Sequence, residues 1–280
     1  MSEFTTAVIS PLRKCMFGVL ALGLFHTAFA QSTEGPIRIP FETNDTGLPT
    51  VVVKVNGMPV TLFLDYGGYA PLAVKTEALG STTVNFTGEV QKSRDAQGHE
   101  RVSRKFSAQA LLAGSGTWHD VSGTELPVSP AFRFPQSGYL GFGLLKSYLA
   151  VFDYAGKELR LYASGDRKAL NQECGLSTFP ISVVDGVTQA TAKTSYGAKT
   201  FQFDTGSNMD LLRPASVPGE PPKPGTQVEL KAFQLGGSAA DRSFLVIPYQ
   251  APDVDGVLGR PFFAEHVVCL DPTAGVGGVK

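Results

Sequence analysis

One short pattern occurs twice in this chain of 280 residues. Residues 61–68 read Thr-Leu-Phe-Leu-Asp-Tyr-Gly-Gly, and residues 200–207 read Thr-Phe-Gln-Phe-Asp-Thr-Gly-Ser. In each copy an apolar strand runs into Asp-x-Gly. A given tripeptide occurs by chance in about one chain of this length in twenty, whereas a strand with this ending that occurs twice is far more specific. The repeat predicts two equivalent units that contribute one carboxylate each, Asp65 and Asp204.

The repeat extends downstream of both motifs. Residues 138–145 read Gly-Tyr-Leu-Gly-Phe-Gly-Leu-Leu, and residues 256–263 read Gly-Val-Leu-Gly-Arg-Pro-Phe-Phe. Gly141 therefore aligns with Gly259, and Asp153 aligns with Asp271, without a gap. We interpret the two later aspartates as turn residues at the ends of apolar strands, because Asp is favoured in turns.

Local signals predict hairpins and short helices within a mostly-β chain. Asn56-Gly57 separates two apolar runs and is the strongest short hairpin signal, and the matching turn is expected at Tyr196-Gly197. Short helices are expected at residues 144–149 and 262–266. Elsewhere Val, Thr, Phe and Leu cluster in short runs between turn residues, and 31 glycines and 19 prolines punctuate the chain. This pattern is typical of an all-β protein.

Charge excludes one class of partner. The net charge is −1, only 18% of the residues are charged, and no basic stripe is present. Nucleic-acid binding is therefore not expected.

The N-terminus has the pattern of a secretory signal. Arg13-Lys14 precedes an apolar run that ends in Ala28-Phe29-Ala30. A basic stretch, a short apolar stretch and a small-x-small ending predict a signal peptide over residues 1–30, and hence an exported, periplasmic or extracellular protein. The alternative is a retained membrane anchor, but the run is short for a span and His26 interrupts it.

Two cysteines remain after residue 30, Cys174 and Cys269. An even pair in an oxidising compartment favours a disulfide. The alternative is two buried thiols, since Cys269 aligns with Val151 on a strand that has a core pattern.

The chain resembles the aspartic proteases of the pepsin and retropepsin type. In that family each lobe supplies one Asp-Thr/Ser-Gly loop, and a later apolar-apolar-Gly segment threads through the loop and supports it. Asp204-Thr205-Gly206-Ser207 matches this loop fully, whereas Asp65-Tyr66-Gly67-Gly68 matches its Asp and first Gly only. The supporting segments are matched by Tyr139-Leu140-Gly141 and Val257-Leu258-Gly259. The resemblance covers roughly residues 38–280 and is that of a bacterial-type single-chain, two-lobe member.

The resemblance implies an all-β fold of two homologous barrel-like lobes with short helices and a cleft between the lobes. We expect the first lobe at residues 38–163, a linker at 164–173 and the second lobe at 174–280. Residues 92–105 are either an exposed hairpin that forms a flap over the cleft or an ordinary surface loop. Four prolines in residues 218–224 make a second flap short or absent, because proline cannot donate to a strand ladder.

The resemblance also implies a reaction. Two facing carboxylates share one proton, so that one of them activates water while the other hydrogen-bonds the scissile carbonyl. Asp65 and Asp204 would be catalytic, and loop support would come from Gly67, Thr205, Gly206, Ser207, Leu140, Gly141, Leu258 and Gly259. No metal or cofactor is needed. His99, His119 and His266 show no metal-ligand spacing and are interpreted as surface or structural residues, and Trp118 as a packed residue.

The first loop departs from the family pattern at two positions. Tyr66 cannot bridge to the opposite loop as a threonine does and could instead occupy the cleft and narrow what binds there, and Gly68 offers no hydroxyl to Asp65. With fewer hydrogen bonds, Asp65 is expected to hold the shared proton.

Three functions remain open. The first is an exported endopeptidase, active as a monomer on peptides or proteins. The second is a non-catalytic relative that binds a peptide or protein partner in the cleft. The third is another β-barrel binding protein, in which both Asp-x-Gly units are plain turns.

Overall fold

Strands with alternating burial make up most of the molecule. In one strand of the first half, residues 49–55, buried positions alternate with half-buried or exposed ones. Such alternation is expected when one face of a strand packs on a core. The computed structural model describes residues 35–79, 84–94, 100–126, 136–249 and 254–280.

The elements follow one another as short strands with three α-helices among the described residues. The first half contains β1 (Ile37–Pro40), β2 (Glu42–Thr43), β3 (Pro49–Val55), β4 (Met58–Asp65), β5 (Leu72–Val74), β6 (Asn85–Arg94), β7 (Glu100–Ala113), β8 (Gly116–Glu125), β9 (Gly138–Gly141), α1 (Phe142–Leu145), β10 (Tyr148–Asp153) and β11 (Glu158–Ala163). The second half contains α2 (Arg167–Cys174), β12 (Thr178–Pro180), β13 (Ser182–Val184), β14 (Val187–Thr194), β15 (Gly197–Phe203), β16 (Leu211–Leu212), β17 (Gln227–Phe233), β18 (Ala240–Val246), β19 (Gly256–Leu258), α3 (Arg260–Glu265), β20 (Val268–Asp271) and β21 (Val276–Val279). Two single 3₁₀ turns lie at Thr76–Ala78 and Pro214–Ser216.

Two sheets have the same internal order, which confirms the predicted two-lobe β fold. In the first lobe the strands lie in the order β3-β4-β9-β5-β8-β7, and in the second in the order β14-β15-β19-β16-β18-β17. Matching pairs also run in matching directions, because β4–β9 and β15–β19 are parallel, and so are β5–β8 and β16–β18. In the first lobe an added β3–β7 pairing closes the six strands into a barrel.

A third sheet is built from both halves of the chain. Its order is β1-β11-β10-β20-β21-β12. At its centre β10 pairs with β20, and Val151 lies opposite Cys269. The internal repeat aligns these two residues with each other. The axis that relates the two copies of the repeat therefore passes between these two strands. Because this sheet is common to both lobes, the lobe boundaries at residues 163 and 174 stay a prediction.

The segment between the lobes is largely helical. α2 covers most of residues 164–173, and the Asp166 carboxylate caps it by accepting a hydrogen bond from the Ala169 N–H at 2.9 Å. Cys174 at its end forms a disulfide with Cys269 of β20, with 6.2 Å between the Cα atoms. Both cysteines are buried in a small apolar cluster with Leu149 and Leu170.

Several local predictions need correction. The helices lie at Phe142–Leu145 and Arg260–Glu265, rather than at residues 144–149 and 262–266. Each begins directly after its glycine, whose extended backbone serves as the N-cap. The Tyr196-Gly197 turn is centred one residue earlier, because Thr194 pairs with Gly197 and leaves Ser195-Tyr196 as the loop. The Asn56-Gly57 turn is confirmed, since Val55 pairs with Met58.

Further predictions concern two surface segments and Trp118. Strands β6 and β7 form a long hairpin, and residues 95–99 between them lie outside the described residues. No strand occurs within residues 218–224. Trp118 packs against the main core and donates its indole N–H to the Tyr148 hydroxyl at 3.0 Å.

Asp153 and Asp271 are turn residues, as predicted. Each carboxylate accepts the N–H three residues later, from Gly156 at 2.7 Å and from Ala274 at 3.0 Å. Asp271 also accepts hydrogen bonds from Ser164 Oγ and from the Gly165 N–H, both at 2.7 Å. It therefore anchors the chain where the segment between the lobes begins.

Candidate active site

Asp65 and Asp204 lie at equivalent ends of two central strands. Asp65 is the last residue of β4, and Asp204 directly follows β15. A tight turn follows each one, closed by a hydrogen bond from the Gly68 N–H to the Asp65 carbonyl at 3.0 Å and from the Ser207 N–H to the Asp204 carbonyl at 3.2 Å. Both aspartates are half-buried as whole residues.

The structure brings these two carboxyl groups face to face. A Cβ placed on Gly67 would lie 2.5 Å from Asp204 Oδ1, and a Cβ placed on Gly206 would lie 2.6 Å from Asp65 Oδ1. Each loop therefore needs a glycine after its x residue, because the carboxyl of the opposite loop occupies the space of a side chain. The Asp-x-Gly pattern thus has a steric explanation in both copies.

Burial and mutual repulsion favour one shared proton. Burial first, and then the charge of Asp204 and a hydrogen bond to it, raise the pKa of Asp65 well above its usual value. Burial also raises the pKa of Asp204, but hydrogen bonds from the Gly206 and Ser207 N–H groups and from Asp65 oppose this rise. Asp65 Oδ1 is buried and accepts no hydrogen bond from the described residues. This oxygen is therefore suited to carry the proton, with Asp204 ionised.

Thr205 links the two loops. Its hydroxyl accepts a hydrogen bond from the Tyr66 N–H at 2.8 Å and donates one to the Leu64 carbonyl at 2.7 Å. Thr205 is fully buried. One side chain of the second loop therefore holds the backbone on both sides of Asp65.

Tyr66 does not occupy the cleft, although the sequence left that position open to it. Its side chain is 2% exposed and packs edge-on against Phe142 and Phe152, with ring centroids 5.4 and 5.3 Å away. Its hydroxyl accepts a long 3.5 Å hydrogen bond from Thr188 Oγ1 of the second lobe. The core position is more favourable for the ring than a position in the cleft, because packing in the core removes the whole apolar surface of the ring from water. Tyr66 therefore stabilises the joint between the lobes and leaves the cleft open.

The residues that follow each Gly behave differently from the family expectation. Ser207 donates its hydroxyl to the Met209 carbonyl at 2.7 Å, so only its N–H serves Asp204. At Gly68 the place of a side chain is already filled, since a Cβ would lie 2.5 Å from Tyr139 Cε2.

Each proposed supporting segment lies directly against the loop of its own lobe. Leu140 and Leu258 are fully buried. A Cβ on Gly141 would lie 2.5 Å from the Gly68 carbonyl oxygen, and one on Gly259 would lie 2.7 Å from the Ser207 carbonyl oxygen. The first N–H after each glycine donates to that same carbonyl at 2.8 Å, from Phe142 and from Arg260.

Sequence reasoning missed Asp210 in the second supporting region. Its carboxylate accepts a hydrogen bond from the Gly259 N–H at 2.7 Å and one from Arg242 at 2.5 Å, and it is 3% exposed. The equivalent donor in the first lobe, the Gly141 N–H, uses the Pro71 backbone carbonyl instead. The only signal in the sequence for a role of Asp210 was a charged residue within an apolar run. The equivalent position in the first lobe is Pro71, so the internal repeat did not mark a second carboxylate.

A cavity of about 820 Å³ lies beside the loop of Asp65. It is lined by Tyr69, Ala70, Pro71, Gln91, Lys105, Ser122, Phe142, Gly143, Lys146, Ser147, Val183, Asp185, Gly186, Pro272 and Thr273. These residues come from the loop, from strands β6, β7 and β8, from α1 and the two residues after it, and from the second lobe. The size is typical of ligand sites, and the cavity extends the candidate site away from the two carboxyl groups.

The histidines form no metal site in the part of the chain that the structure describes. His119 is exposed, and His266 packs near Phe262 with ring centroids 5.0 Å apart. Burial lowers the pKa of His266. His99 lies outside the described residues. No group of three or more potential metal ligands occurs among the described residues.

Comparison with solved structures identifies the fold. The chain is similar to basic 7S globulin from soybean, with a TM-score of 0.61, 11% identity, and coverage of 88% of this chain and 95% of that one. It is also similar to an aspartic proteinase from Irpex lacteus, with a TM-score of 0.58, 14% identity, and coverage of 86% and 96%. No protein-family model and no curated protein sequence matches the chain. At these identities the likeness concerns the fold alone, and the chain has the pepsin-like, two-lobe β fold.

Proposed function

We propose that this protein is an aspartic-type endopeptidase that hydrolyses peptide bonds with Asp65 and Asp204. The observation that carries the proposal is the pair of facing carboxyl groups, each lying over the glycine of the opposite loop. Both are half-buried and both have a raised pKa. A pair of carboxyls with these properties is the machinery for activating water without a covalent intermediate.

The hydrogen bonds support a different proposed role for each carboxyl. Ionised Asp204 takes a proton from a water molecule, which attacks the scissile carbonyl, while Asp65 gives its proton to the carbonyl oxygen. The resulting diol collapses when Asp204 protonates the leaving nitrogen and Asp65 regains a proton from one hydroxyl. The C–N bond breaks and the pair returns to its singly protonated state. Apparent pKa values in the activity profile would belong to the pair.

The surroundings fit a peptide substrate. The β6–β7 hairpin contributes Gln91 and Lys105 to the cavity beside Asp65, and the second lobe contributes residues 183, 185 and 186. We propose that this hairpin is the flap. A chain with both loops needs no second copy to complete the pair, so the proposed enzyme is a monomer.

Export belongs to the same proposal. The expected signal peptide, residues 1–30, lies outside the described residues. Within the described ranges no helix is both long and apolar enough to cross a membrane. The Cys174–Cys269 disulfide suits an oxidising compartment, periplasmic or extracellular.

The test is hydrolysis of a mixed peptide library from pH 3 to pH 7. Asp204→Asn and Asp65→Asn should each abolish cleavage. Asp120→Asn is the matched control, because Asp120 is an exposed residue of β8 with φ of +52°, a conformation that asparagine tolerates. The proposal fails if folded protein cleaves nothing, or if cleavage survives Asp204→Asn.

A binding role is the second candidate. Only the second loop contributes a side chain to the link between the loops. Thr205 binds the backbone of the first loop, whereas the Tyr66 ring lies in the core and cannot bind the second loop in return. One of the two similar structures is named a globulin and not a proteinase. Retention of library peptides by a folded chain that does not cleave them, and loss of this retention when the cavity residue Lys105 is changed to Glu, would favour binding.

A further inference from the structure

Two positions near the candidate dyad differ between the lobes in a reciprocal way. Phe63 pairs with Tyr139 in the first lobe, and Gln202 pairs with Val257 in the second, so Tyr139 and Val257 are equivalent. Gly68 and Ser207 are equivalent by their place after Asp-x-Gly. The first lobe therefore combines a small loop residue with a large strand residue, and the second lobe combines the larger loop residue with a smaller strand residue.

The reciprocal sizes reflect one shared space. A Cβ on Gly68 would lie 2.5 Å from Tyr139 Cε2 and 2.8 Å from Cδ2, closer than packed atoms approach. The same ring edge would lie 3.0 Å from a Cβ on Gly141. The Tyr139 ring thus fills the gap between the loop and its supporting segment, and its presence requires a glycine at position 68. Gly141 is required first by the carbonyl oxygens of Ala70 and Gly68, which lie closer than the ring.

This ring also lies beside the Asp65 carboxyl. The Gly68 Cβ position that the ring overlaps is 3.1 Å from Asp65 Oδ2. Burial first, and then the charge of Asp65, raise the pKa of Tyr139 to about 12, while a hydrogen bond with the Ala70 backbone opposes the rise. The ring is therefore anchored at its hydroxyl end and excludes water from one side of Asp65.

We propose that Tyr139 is a positioning residue for Asp65, and that it replaces the side chain that follows Asp-x-Gly in the other loop. It holds the first loop by filling space, and it keeps Asp65 protonated by excluding water. The effect of Tyr139 on catalysis rests on the proposed function. Its packing against the first loop and its effect on the Asp65 carboxyl do not depend on whether the protein is an enzyme.

A double-mutant cycle on stability tests the shared space. Gly68→Ser alone should lower the melting temperature strongly, because the new Cβ overlaps the ring. Gly68→Ser combined with Tyr139→Val rebuilds the serine–valine pair of the second lobe and should recover much of that loss, so that the two effects are non-additive. Additive effects, or a Gly68→Ser protein as stable as the parent, would overturn the proposal.

A carboxyl titration tests the second part. The Asp65 signal is followed by ¹³C NMR in aspartate-labelled protein and assigned by its absence in Asp65→Asn. Tyr139→Val should lower the pKa of Asp65, because water then reaches the carboxyl, whereas Tyr139→Phe, which keeps the ring, should leave it near the parent value. An unchanged pKa in folded Tyr139→Val would overturn the proposal.

Activity measurements separate this proposal from the proposed function. If the protein hydrolyses peptides, the high-pH limb of kcat/KM should move to lower pH in Tyr139→Val, because that limb reports loss of the shared proton. An unmoved limb would count against the positioning role. If the cycle and the titration behave as expected in a protein without hydrolytic activity, the inference about Tyr139 stands and the proposed function fails.

Discussion

The hydroxyl of Thr205 in the second loop accepts the Tyr66 N–H at 2.8 Å and binds the backbone of the first loop on both sides of Asp65. The reverse link cannot form through Tyr66, because its ring lies in the core against Phe142 and Phe152. The position of Asp65 therefore depends on packing below the loop and on one threonine from the other lobe.

Thr205→Val should destabilise the protein by about 1–3 kcal/mol, because the Tyr66 N–H and the Leu64 carbonyl would be buried without a partner. The measurement is urea-induced unfolding. Thr205→Ser keeps the hydroxyl and is the control. Equal stability of the valine and serine variants would show that this link contributes nothing.

Tyr66→Thr should destabilise the fold and should not improve catalysis, although it restores the family residue. Removal of a buried ring leaves a cavity between Phe142 and Phe152, which costs about 3–5 kcal/mol for large aromatic truncations. Tyr66→Phe should be mild, because the hydroxyl makes only a 3.5 Å contact with Thr188. Thermal melts of both variants give the comparison, and a stable, more active Tyr66→Thr protein would contradict it.

Neutralising either member of the dyad should stabilise the protein at neutral pH. A carboxyl whose pKa is raised on folding stabilises the fold below its unfolded value, here 3.8, and this contribution is lost as the pH rises through the folded value. Asn cannot ionise, so the melting temperature of Asp65→Asn should match the parent near pH 3 and exceed it at pH 7. Melting curves across this range test the sign, with Asp120→Asn as the variant that should follow the parent throughout.

The sequence predicted the parts of the site that the internal repeat carries. Strands that enter Asp65 and Asp204 occur at equivalent positions in sheets of the same order. The positions of Tyr66 and Tyr139 could not be predicted, because a ring beside a loop can turn into the cleft or into the core, and only the packing of distant residues decides. Asp210 was missed for a related reason, since its partner Arg242 lies 32 positions later and no local pattern joins them.

Removal of the disulfide should weaken the fold and leave the dyad unchanged. Cys174 and Cys269 are 95 positions apart, and loss of a bridge that closes a long loop typically costs about 2–5 kcal/mol. Their apolar cluster contains neither aspartate. The Cys174→Ser/Cys269→Ser protein should therefore melt earlier but keep its pH–activity profile below its melting temperature. A shifted profile would mean that the bridge also sets the geometry of the site.

Asp210 and Arg242 form a buried ion pair that holds Gly259 in place. The stability that is lost when this pair is broken should depend on pH. Burial raises the pKa of Asp210 to about 6, although the charge of Arg242 lowers it. Asp210→Ala leaves the Gly259 N–H without its acceptor and leaves the Arg242 guanidinium paired with Glu265 alone, and it should cost about 3–5 kcal/mol.

Arg242→Met instead leaves the carboxyl without its cation, and this loss should be smaller at pH 4, where Asp210 can take up a proton, than at pH 7. Urea unfolding at the two pH values measures the difference. Lys231→Met is the matched control, because Lys231 pairs with Asp241 on the surface and its loss should be small at both pH values. An Arg242→Met protein that is weakened equally at pH 4 and pH 7 would mean that Asp210 stays ionised in the folded state.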